Sequence, residues 1–396
     1  MFPLQQVQAA LKEFGFDAWL MYDFRGSNLL AQRVLQIPDH AVGSRRCLYC
    51  IPAEGDPMKL VHRIESGALD HLPGEKHVYL KWQEFEAGVA RLLDGQRQVA
   101  MEYSERNTNP YISRVDAGTV ELVRSLGVEV ASSGDLIQLF EATWDEEQWE
   151  LHQQAQQQTN AAFGRAWKLI ADAIRERGEI SELEVQSLIM EHFHEHGMET
   201  YHPPIVGVGP HSGDPHYETG TGDNAVIRNG DFVLIDLWAK ISHPRGVYSD
   251  LTRTGFVGTE VPETFDRIFQ IVANARDAAI HLVRDAFANG RLLQGWEIDD
   301  ACRAVIDEAG YGEAFVHRTG HSIGQETHGN GANIDNLETH ETRLILPRTC
   351  FSIEPGIYLE EFGVRSEVNV YIAADGTVHV TGGELQREVV PILRDY

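Results

Sequence analysis

The sequence has few cysteines and no long apolar run. Its 396 residues include only four cysteines, which are too few for a disulfide framework in a chain of this length and favour a reducing compartment. Cys47 and Cys50 have the spacing of a redox or zinc motif but lack a helix start and a second pair, so we interpret both as buried strand thiols. No run approaches the roughly 20 apolar residues of a membrane span. Because the first residues also show no cationic leader, we expect a cytoplasmic protein without a membrane partner.

Basic residues are scarce as well. The chain has 33 lysines and arginines against 60 aspartates and glutamates, which gives a formal net charge of -27. This charge repels phosphate backbones and anionic surfaces, and no basic patch overrides it. The sequence therefore predicts no nucleic-acid partner.

Composition and length describe a folded chain of two domains. Hydrophobic residues make up 42% and charged residues 23% of the chain, as in globular proteins. The pattern of apolar residues changes near residue 145. Residues 1–145 alternate short apolar strands with amphipathic helices, which predicts an α/β domain. Residues 146–396 repeat a plan of helices followed by strands, over 150–258 and again over 259–396, which predicts an α+β domain of two related halves.

Five acidic or histidine side chains lie on strands or at strand ends of the second domain. One acid on a strand usually marks an edge or a satisfied hydrogen-bond network, but a group of this size cannot stay buried and ionised without a cation. Four carboxylates and one histidine favour Mn²⁺, with Co²⁺ or Zn²⁺ able to substitute, and the charge suits two ions better than one. The acids are Asp236, Asp250, Glu354 and Glu367, and the histidine is one of the three in HRTGHSIGQETHG, at residues 317–329.

A second group of histidines carries no such prediction. The stretch HFHEH at residues 192–196 does not have the HExxH order of a zinc-binding helix and lies in a polar helical pattern. We interpret these histidines as solvated side chains.

The segments IDLW, VYSDLTRT, RTGHSIG, SIEPGIY and GVRSEV occur in this order. Together they resemble the metallopeptidase superfamily of prolidase, aminopeptidase P, methionine aminopeptidase and creatinase. The resemblance covers about residues 150–396 and implies a pita-bread fold with pseudo-twofold halves. The first domain resembles the creatinase-type N-terminal domain in size and pattern, which favours the proline-directed members. The resemblance also implies that the histidine of this group is His321, and that Asp236, Asp250, His321, Glu354 and Glu367 bind two metal ions, with Asp250 and Glu367 bridging them.

The resemblance implies roles in catalysis for three residues. Glu354 would take a proton from the attacking water and deliver it to the leaving nitrogen. His216, in PHSGDPHY, and His328, seven residues after His321, match substrate-side histidines that would donate to the developing oxyanion. Because the proline nitrogen has no hydrogen and the ring fixes φ, the bond before proline needs a dedicated cleft. We therefore expect small proline-containing peptides as substrates. We also expect the chain to assemble as a homodimer.

The sequence departs from the family pattern near the substrate end of the site. ISHPRG, at residues 241–246, looks like a three-residue insertion between the two metal-bearing strands. It brings His243 and Arg245 beside Lys240, and we predict that His243 and Arg245 bind a substrate carboxylate. The place of a family arginine falls on His340. The alternatives for the carboxylate are Arg343, His340 and Arg46.

Three activities remain open. A dipeptidase must hold a free carboxylate and close the cleft, whereas an aminopeptidase must leave the cleft open. The basic residues near Asp236 favour an Xaa-Pro dipeptidase, that is, a prolidase. The alternatives are an aminopeptidase P that acts on longer peptides and a pita-bread protein without peptidase activity.

Overall fold

The computed structural model describes residues 2–38, 43–222 and 224–396. They divide into two units, Met1–Glu141 and Ala142–Tyr396. The division predicted at residue 145 lies a few residues further along the chain. Within the described part of the chain, no helix is both long and apolar enough to cross a membrane.

The first unit is a six-stranded sheet covered by helices, as the sequence predicts. The strands are in the order β4-β3-β2-β1-β5-β6, with antiparallel pairing of β1 to β2 and of β2 to β3 and parallel pairing elsewhere. The strands are β1 (Ala18–Asp23), β2 (Cys47–Pro52), β3 (Met58–His62), β4 (Glu75–Tyr79), β5 (Gln98–Met101) and β6 (Glu129–Ser132). The helices are α1 (Leu4–Phe14), α2 (Leu29–Val34), α3 (Trp82–Leu92), α4 (Ala117–Ser125) and α5 (Gly134–Glu141).

Both faces of this sheet are buried. On β1, Trp19 and Met21 belong to one apolar cluster and Leu20 and Tyr22 to another, because successive side chains of a strand point to opposite faces. The same rule separates the two cysteines of β2. Cys50 is buried and Cys47 half-buried, and burial raises the pKa of each thiol to about 12.

The second unit contains two helix pairs, each packed on a sheet. The first sheet has the order β19-β12-β11-β8, with β9 also paired to β11, and the second has the order β13-β14-β17-β18; β7 pairs with β10 and β15 with β16. The helices are α6 (Glu146–Arg177), α7 (Glu182–Glu195), α8 (Glu263–Ala288), α9 (Gly295–Glu308) and α10 (Ile392–Asp395). The strands are β7 (Glu179–Ser181), β8 (Met198–Glu199), β9 (Ile205–Val208), β10 (Val226–Arg228), β11 (Phe232–Ile241), β12 (Ser249–Phe256), β13 (Ser322–Ile323), β14 (Cys350–Ile353), β15 (Gly356–Tyr358), β16 (Gly363–Arg365), β17 (Val368–Ile372), β18 (Val378–Thr381) and β19 (Val390–Pro391).

Local signals determine where the long helices begin. The side chain of Asp145 caps α6 and that of Ser181 caps α7, and the backbone amide of each cap residue donates in return to the side chain of the third helical residue. Helices α6 and α7 share an apolar cluster with β11 and β12. Helices α8 and α9 share a second cluster with β14 and β17. This repeated plan of a helix pair and a sheet is the one that the sequence predicts for the two halves.

Candidate active site

The hairpin of β11 and β12 brings two of the predicted ligands to one face of its sheet. In the antiparallel register Asp250 lies opposite Trp238, and directly opposite residues point to the same face. Trp238 is two residues from Asp236, so it also shares that face. Asp236 and Asp250 are therefore diagonal neighbours on adjacent strands.

The other three predicted ligands lie at strand ends of the second sheet. His321 precedes β13, Glu354 follows β14 and Glu367 precedes β17. Backbone hydrogen bonds join this sheet edge to the hairpin, because the amide of Glu367 donates to the carbonyl of Thr252 over 3.2 Å. The fold thus gathers residues that are more than 100 positions apart in the sequence.

The side-chain atoms of this group that could bind a metal ion lie close together. His321 Nε2 is 3.5 Å from Asp250 Oδ2 and 3.3 Å from Glu354 Oε1. One ligand atom from each of Asp250, His321 and Glu367 lies within 4.8 Å of the others. The side chain of His321 also has the orientation of a ligand, since Nδ1 faces the carbonyl of Ser322 at 3.2 Å and leaves Nε2 directed at the carboxylates.

Two oxygens of this group lack a partner. Asp236 Oδ1 and Glu367 Oε1 are buried, and the described residues offer neither a hydrogen bond. Burial raises the pKa of Asp236 and Glu367, and it raises the pKa of Asp250 to about 7. A buried carboxylate oxygen without a partner is unfavourable, and a divalent cation would satisfy these two oxygens and neutralise the excess negative charge. The residues present therefore fit a metal site.

Arg365 holds Asp236 in place, and it was not among the predicted site residues. Its Nη2 donates to Asp236 Oδ2 over 2.5 Å, its Nε to Thr252 Oγ1 over 3.1 Å and its Nη1 to the Tyr358 hydroxyl over 2.8 Å. A signal was present in the sequence, because Arg365 lies two residues before Glu367 in GVRSEV and so falls among buried strand residues. A buried arginine needs a carboxylate, and Asp236 supplies it.

We expect Arg365→Met to weaken divalent-metal binding about 10- to 100-fold, the usual effect of losing a residue that orients a ligand. Titration of the metal-free protein with Mn²⁺ measures this effect without any turnover. Arg291→Met, which removes an arginine paired with Glu297 on the surface, should bind the metal like wild type. Tighter binding by Arg365→Met would show that the guanidinium repels the ions more than it orients Asp236.

His328 lies against His321, one of the predicted ligands. Its ring is perpendicular to that of His321, with centroids 4.3 Å apart. The charge on His321, together with burial, lowers the pKa of His328 to about 3. The ring of His328 is therefore neutral near pH 7 and can donate one N–H.

His216 lies on an exposed turn, and the described structure shows no hydrogen bond from its ring to the five ligands. The segment around it is anchored by Glu182, a buried residue that sequence reasoning missed. Glu182 accepts hydrogen bonds from the Tyr217 hydroxyl at 2.5 Å and the Val208 amide at 2.8 Å, and His211 Nδ1 lies 3.0 Å from it. The role predicted for His216 stays a prediction.

The basic residues predicted to bind a substrate carboxylate are engaged elsewhere. Arg245 bonds Glu147 Oε2 over 2.8 Å and also Asp145 Oδ2, both at the start of α6. Its backbone amide donates to His243 Nδ1 over 3.2 Å. Holding a substrate carboxylate would require Arg245 to leave these acids.

The alternative residues are also engaged. Arg343 is buried and makes two bonds to Glu341, over 2.8 and 2.5 Å. His340 is exposed and its Nδ1 lies 2.8 Å from Asn336 Oδ1. Arg46, in the first unit, stacks over the Phe85 ring at 3.8 Å. The structure joins none of these three described side chains to the five ligands.

A cavity of about 640 Å³ adjoins His328. Tyr201 and Tyr248 form aromatic walls, with their rings perpendicular and 6.2 Å apart. The ring of Tyr201 lies beside that of Trp238, the residue opposite Asp250, with centroids 6.0 Å apart, so this wall lies near the carboxylates. Partial desolvation and the charges of Asp250 and Asp236 raise the pKa of Tyr201. The lining residues are Glu199, Thr200, Tyr201, Lys240, Tyr248, Gln325, Glu326, Thr327 and His328.

The sequence matches that of metallopeptidase family M24 over residues 150–374. The chain belongs to this family. The match includes all five predicted ligands, and the resemblance inferred from the sequence motifs is confirmed. Family M24 consists of metallopeptidases, in agreement with a site that fits divalent cations.

Individual relatives agree with this family. The chain is 35% identical over 189 residues to the probable dipeptidase PepE of Mycobacterium tuberculosis, which covers 48% of this chain and 46% of the relative. It is 31% identical over 239 residues to an Xaa-Pro dipeptidase of Lactobacillus delbrueckii, covering 60% and 59%. The matched parts thus span about half the length of these relatives.

The fold also resembles a solved structure along its whole length. Dipeptidase PepE from Mycobacterium ulcerans superposes with a TM-score of 0.66 at 23% identity, covering 98% of this chain and 96% of that one. This likeness confirms the predicted fold of an N-terminal α/β domain followed by a pita-bread metallopeptidase domain.

Proposed function

We propose that the protein is a metal-dependent peptidase that hydrolyses the Xaa-Pro bond of dipeptides. The observation that carries the proposal is the buried group of four carboxylates and His321, with two unpartnered oxygens, next to a cavity lined by His328. The similarity to an Xaa-Pro dipeptidase supports the same substrate class.

The cavity has the size and surface for a small peptide. A volume of about 640 Å³ lies within the usual range for sites that bind small ligands. The faces of Tyr201 and Tyr248 offer apolar walls for a proline ring, and His328 offers a polar group close to the carboxylates. A dipeptide can therefore place its ring against the aromatic residues and its amide bond beside the predicted ligands.

We propose two divalent ions per chain, with Mn²⁺ preferred and Co²⁺ or Zn²⁺ able to substitute. Four carboxylates with one histidine form a hard donor set, which favours these metals. The ions would be held by Asp236, Asp250, His321, Glu354 and Glu367, and Asp250 and Glu367 would be shared between them. When bound, such ions supply a water whose pKa is lowered toward neutrality.

The residues of the chain have separate tasks in this reaction. Glu354 is oriented by the Ser352 hydroxyl, which donates to its Oε1 over 3.0 Å. We assign it the transfer of a proton from the attacking water to the leaving proline nitrogen. His328 donates its N–H to the oxygen of the scissile carbonyl as negative charge develops there.

The test is an activity assay with metal-free protein reconstituted with Mn²⁺, Co²⁺ or Zn²⁺. We expect cleavage of Ala-Pro, weak cleavage of Ala-Pro-Pro and none of Ala-Ala, with two ions per chain by elemental analysis. Cleavage of Ala-Ala at the same rate would remove the proline preference. No stoichiometric metal together with no activity would leave a pita-bread protein without this function.

One observation favours a second candidate, an aminopeptidase P. The rim of the cavity is open to solvent, since Tyr201 is 68% exposed. An open rim would admit a longer peptide beyond the proline. A preference for Ala-Pro-Pro over Ala-Pro in the same assay would select this activity.

A further inference from the structure

Strand β11 links the metal ligands to a lysine. Asp236, Trp238 and Lys240 alternate along the strand, so their side chains share one face of the sheet. Lys240 lies two residues beyond Trp238, the position opposite Asp250. Two residues of strand span about 7 Å, so the backbone of Lys240 lies about 7 Å along the strand from the position opposite Asp250 and about twice as far from Asp236.

The ammonium group of Lys240 is only partly neutralised. Its Nζ donates to the carbonyl of Gln325 over 2.8 Å and lies 5.1 Å from the centroid of the Tyr248 ring. Its ion-pair partner is Glu199, whose Oε1 lies 3.6 Å from Nζ. The side chain of Glu199 is 50% exposed, whereas that of Lys240 is 16% exposed. An ammonium has three donors. Water screens the charge of the exposed Glu199, so this ion pair compensates the less exposed ammonium of Lys240 only in part. A further anionic partner would therefore stabilise Lys240.

Lys240 is also the one lysine or arginine among the described residues that line the cavity. The competing cations are committed to carboxylates, Arg245 to Asp145 and Glu147 and Arg343 to Glu341. Beside the two acids of the same lining, Glu199 and Glu326, Lys240 is therefore the cation available to an anionic group of a ligand in the cavity.

We propose that Lys240 binds the free C-terminal carboxylate of the substrate and thereby sets the preference for dipeptides. The inference rests on the proposed Xaa-Pro activity. In an Xaa-Pro dipeptide the carboxylate lies one residue, at most about 3.5 Å, beyond the scissile carbonyl. An ammonium–carboxylate contact adds about 3 Å, so the carboxylate of a dipeptide stays within the cavity that Lys240 and His328 both line. Each further residue carries the carboxylate about 3.5 Å farther along.

The test compares two variants on matched substrates. Lys240→Met should lower kcat/KM for Ala-Pro about 10- to 100-fold, mainly through KM, because the pair is charge-assisted and partly shielded from water. Ala-Pro amide, which lacks the charge, should be cleaved by Lys240→Met and wild type within about threefold of each other. Lys240→Arg, which keeps the charge, should recover a large part of the lost activity on Ala-Pro. Lys168→Met, which removes an exposed lysine paired with Asp172 on α6, should match wild type on both substrates.

A binding measurement separates this inference from the proposed function. Calorimetric titration of the metal-loaded protein should show tighter binding of proline than of prolinamide, and Lys240→Met should remove the difference. Equal effects of Lys240→Met on acid and amide, or no effect on either, would overturn the role of Lys240 while leaving the Xaa-Pro activity standing. If the wild type cleaves no Xaa-Pro peptide but proline binding still depends on Lys240, the proposed function fails and the carboxylate site remains. Thermal denaturation of each variant checks that the fold is retained.

Discussion

Asp250→Asn should abolish stoichiometric metal binding and lower kcat/KM on Ala-Pro by about 10³-fold or more. Asp250 contacts His321 and is the diagonal neighbour of Asp236, and its carboxylate is one of the three groups whose ligand atoms lie within 4.8 Å of one another. The bound ions supply several kcal/mol of stabilisation to the transition state, and each 1.4 kcal/mol corresponds to a factor of ten. Elemental analysis and steady-state kinetics on the same preparation measure both effects. Full metal content with near-normal activity would show that Asp250 is not a ligand.

The same substitution has an expected effect on the metal-free protein. Burial raises the pKa of Asp250 to about 7, whereas an unfolded aspartate titrates near 4. The folded state therefore holds a proton that the unfolded state releases, so the free energy of unfolding should fall as pH rises from about 4 to about 7. Asp250→Asn stays neutral at every pH and should reduce this slope. Thermal denaturation in the presence of a chelator, at pH 5 and pH 8, measures the difference, and an unchanged slope would contradict the assignment.

Order and spacing of motifs were enough to select the five candidate ligands, whose role in metal binding stays a prediction. The acids fall on strands or strand ends, and because side chains alternate along a strand, the position of each acid in the strand determines which face of the sheet it lies on. Helix starts were equally local, since Ser181 and Glu184 lie three residues apart and bond each other in the structure. Features that depend on a few neighbouring residues leave a pattern that a single sequence can show.

Pairings across long sequence separations left no such pattern. Arg245 reaches Asp145 and Glu147, about a hundred residues earlier, because the start of α6 packs beside the β11–β12 turn. The inserted turn does present a cation, as predicted, but acids of the protein itself bind it. For Lys240 the sequence shows part of the answer, because alternation along β11 places it on the face of Asp236. That its charge is only partly neutralised depends on the position of Glu199, which the sequence does not show.

The second large effect is expected for His328→Ala, which should lower kcat about 10²- to 10³-fold with little change in metal content. The ring of His328 is held against His321 and borders the cavity, so its neutral N–H can reach a carbonyl oxygen beside the metal ligands. A donor directed at the developing oxyanion acts in the transition state more than in the bound substrate, so the loss should appear in kcat rather than KM. Elemental analysis, kinetics on Ala-Pro and the melting temperature should be measured together. His194→Ala, which removes an exposed histidine of α7, is the matched control and should match wild type. Loss of metal from His328→Ala would identify His328 as a support for His321, and a rise in KM alone would identify it as a substrate-binding residue.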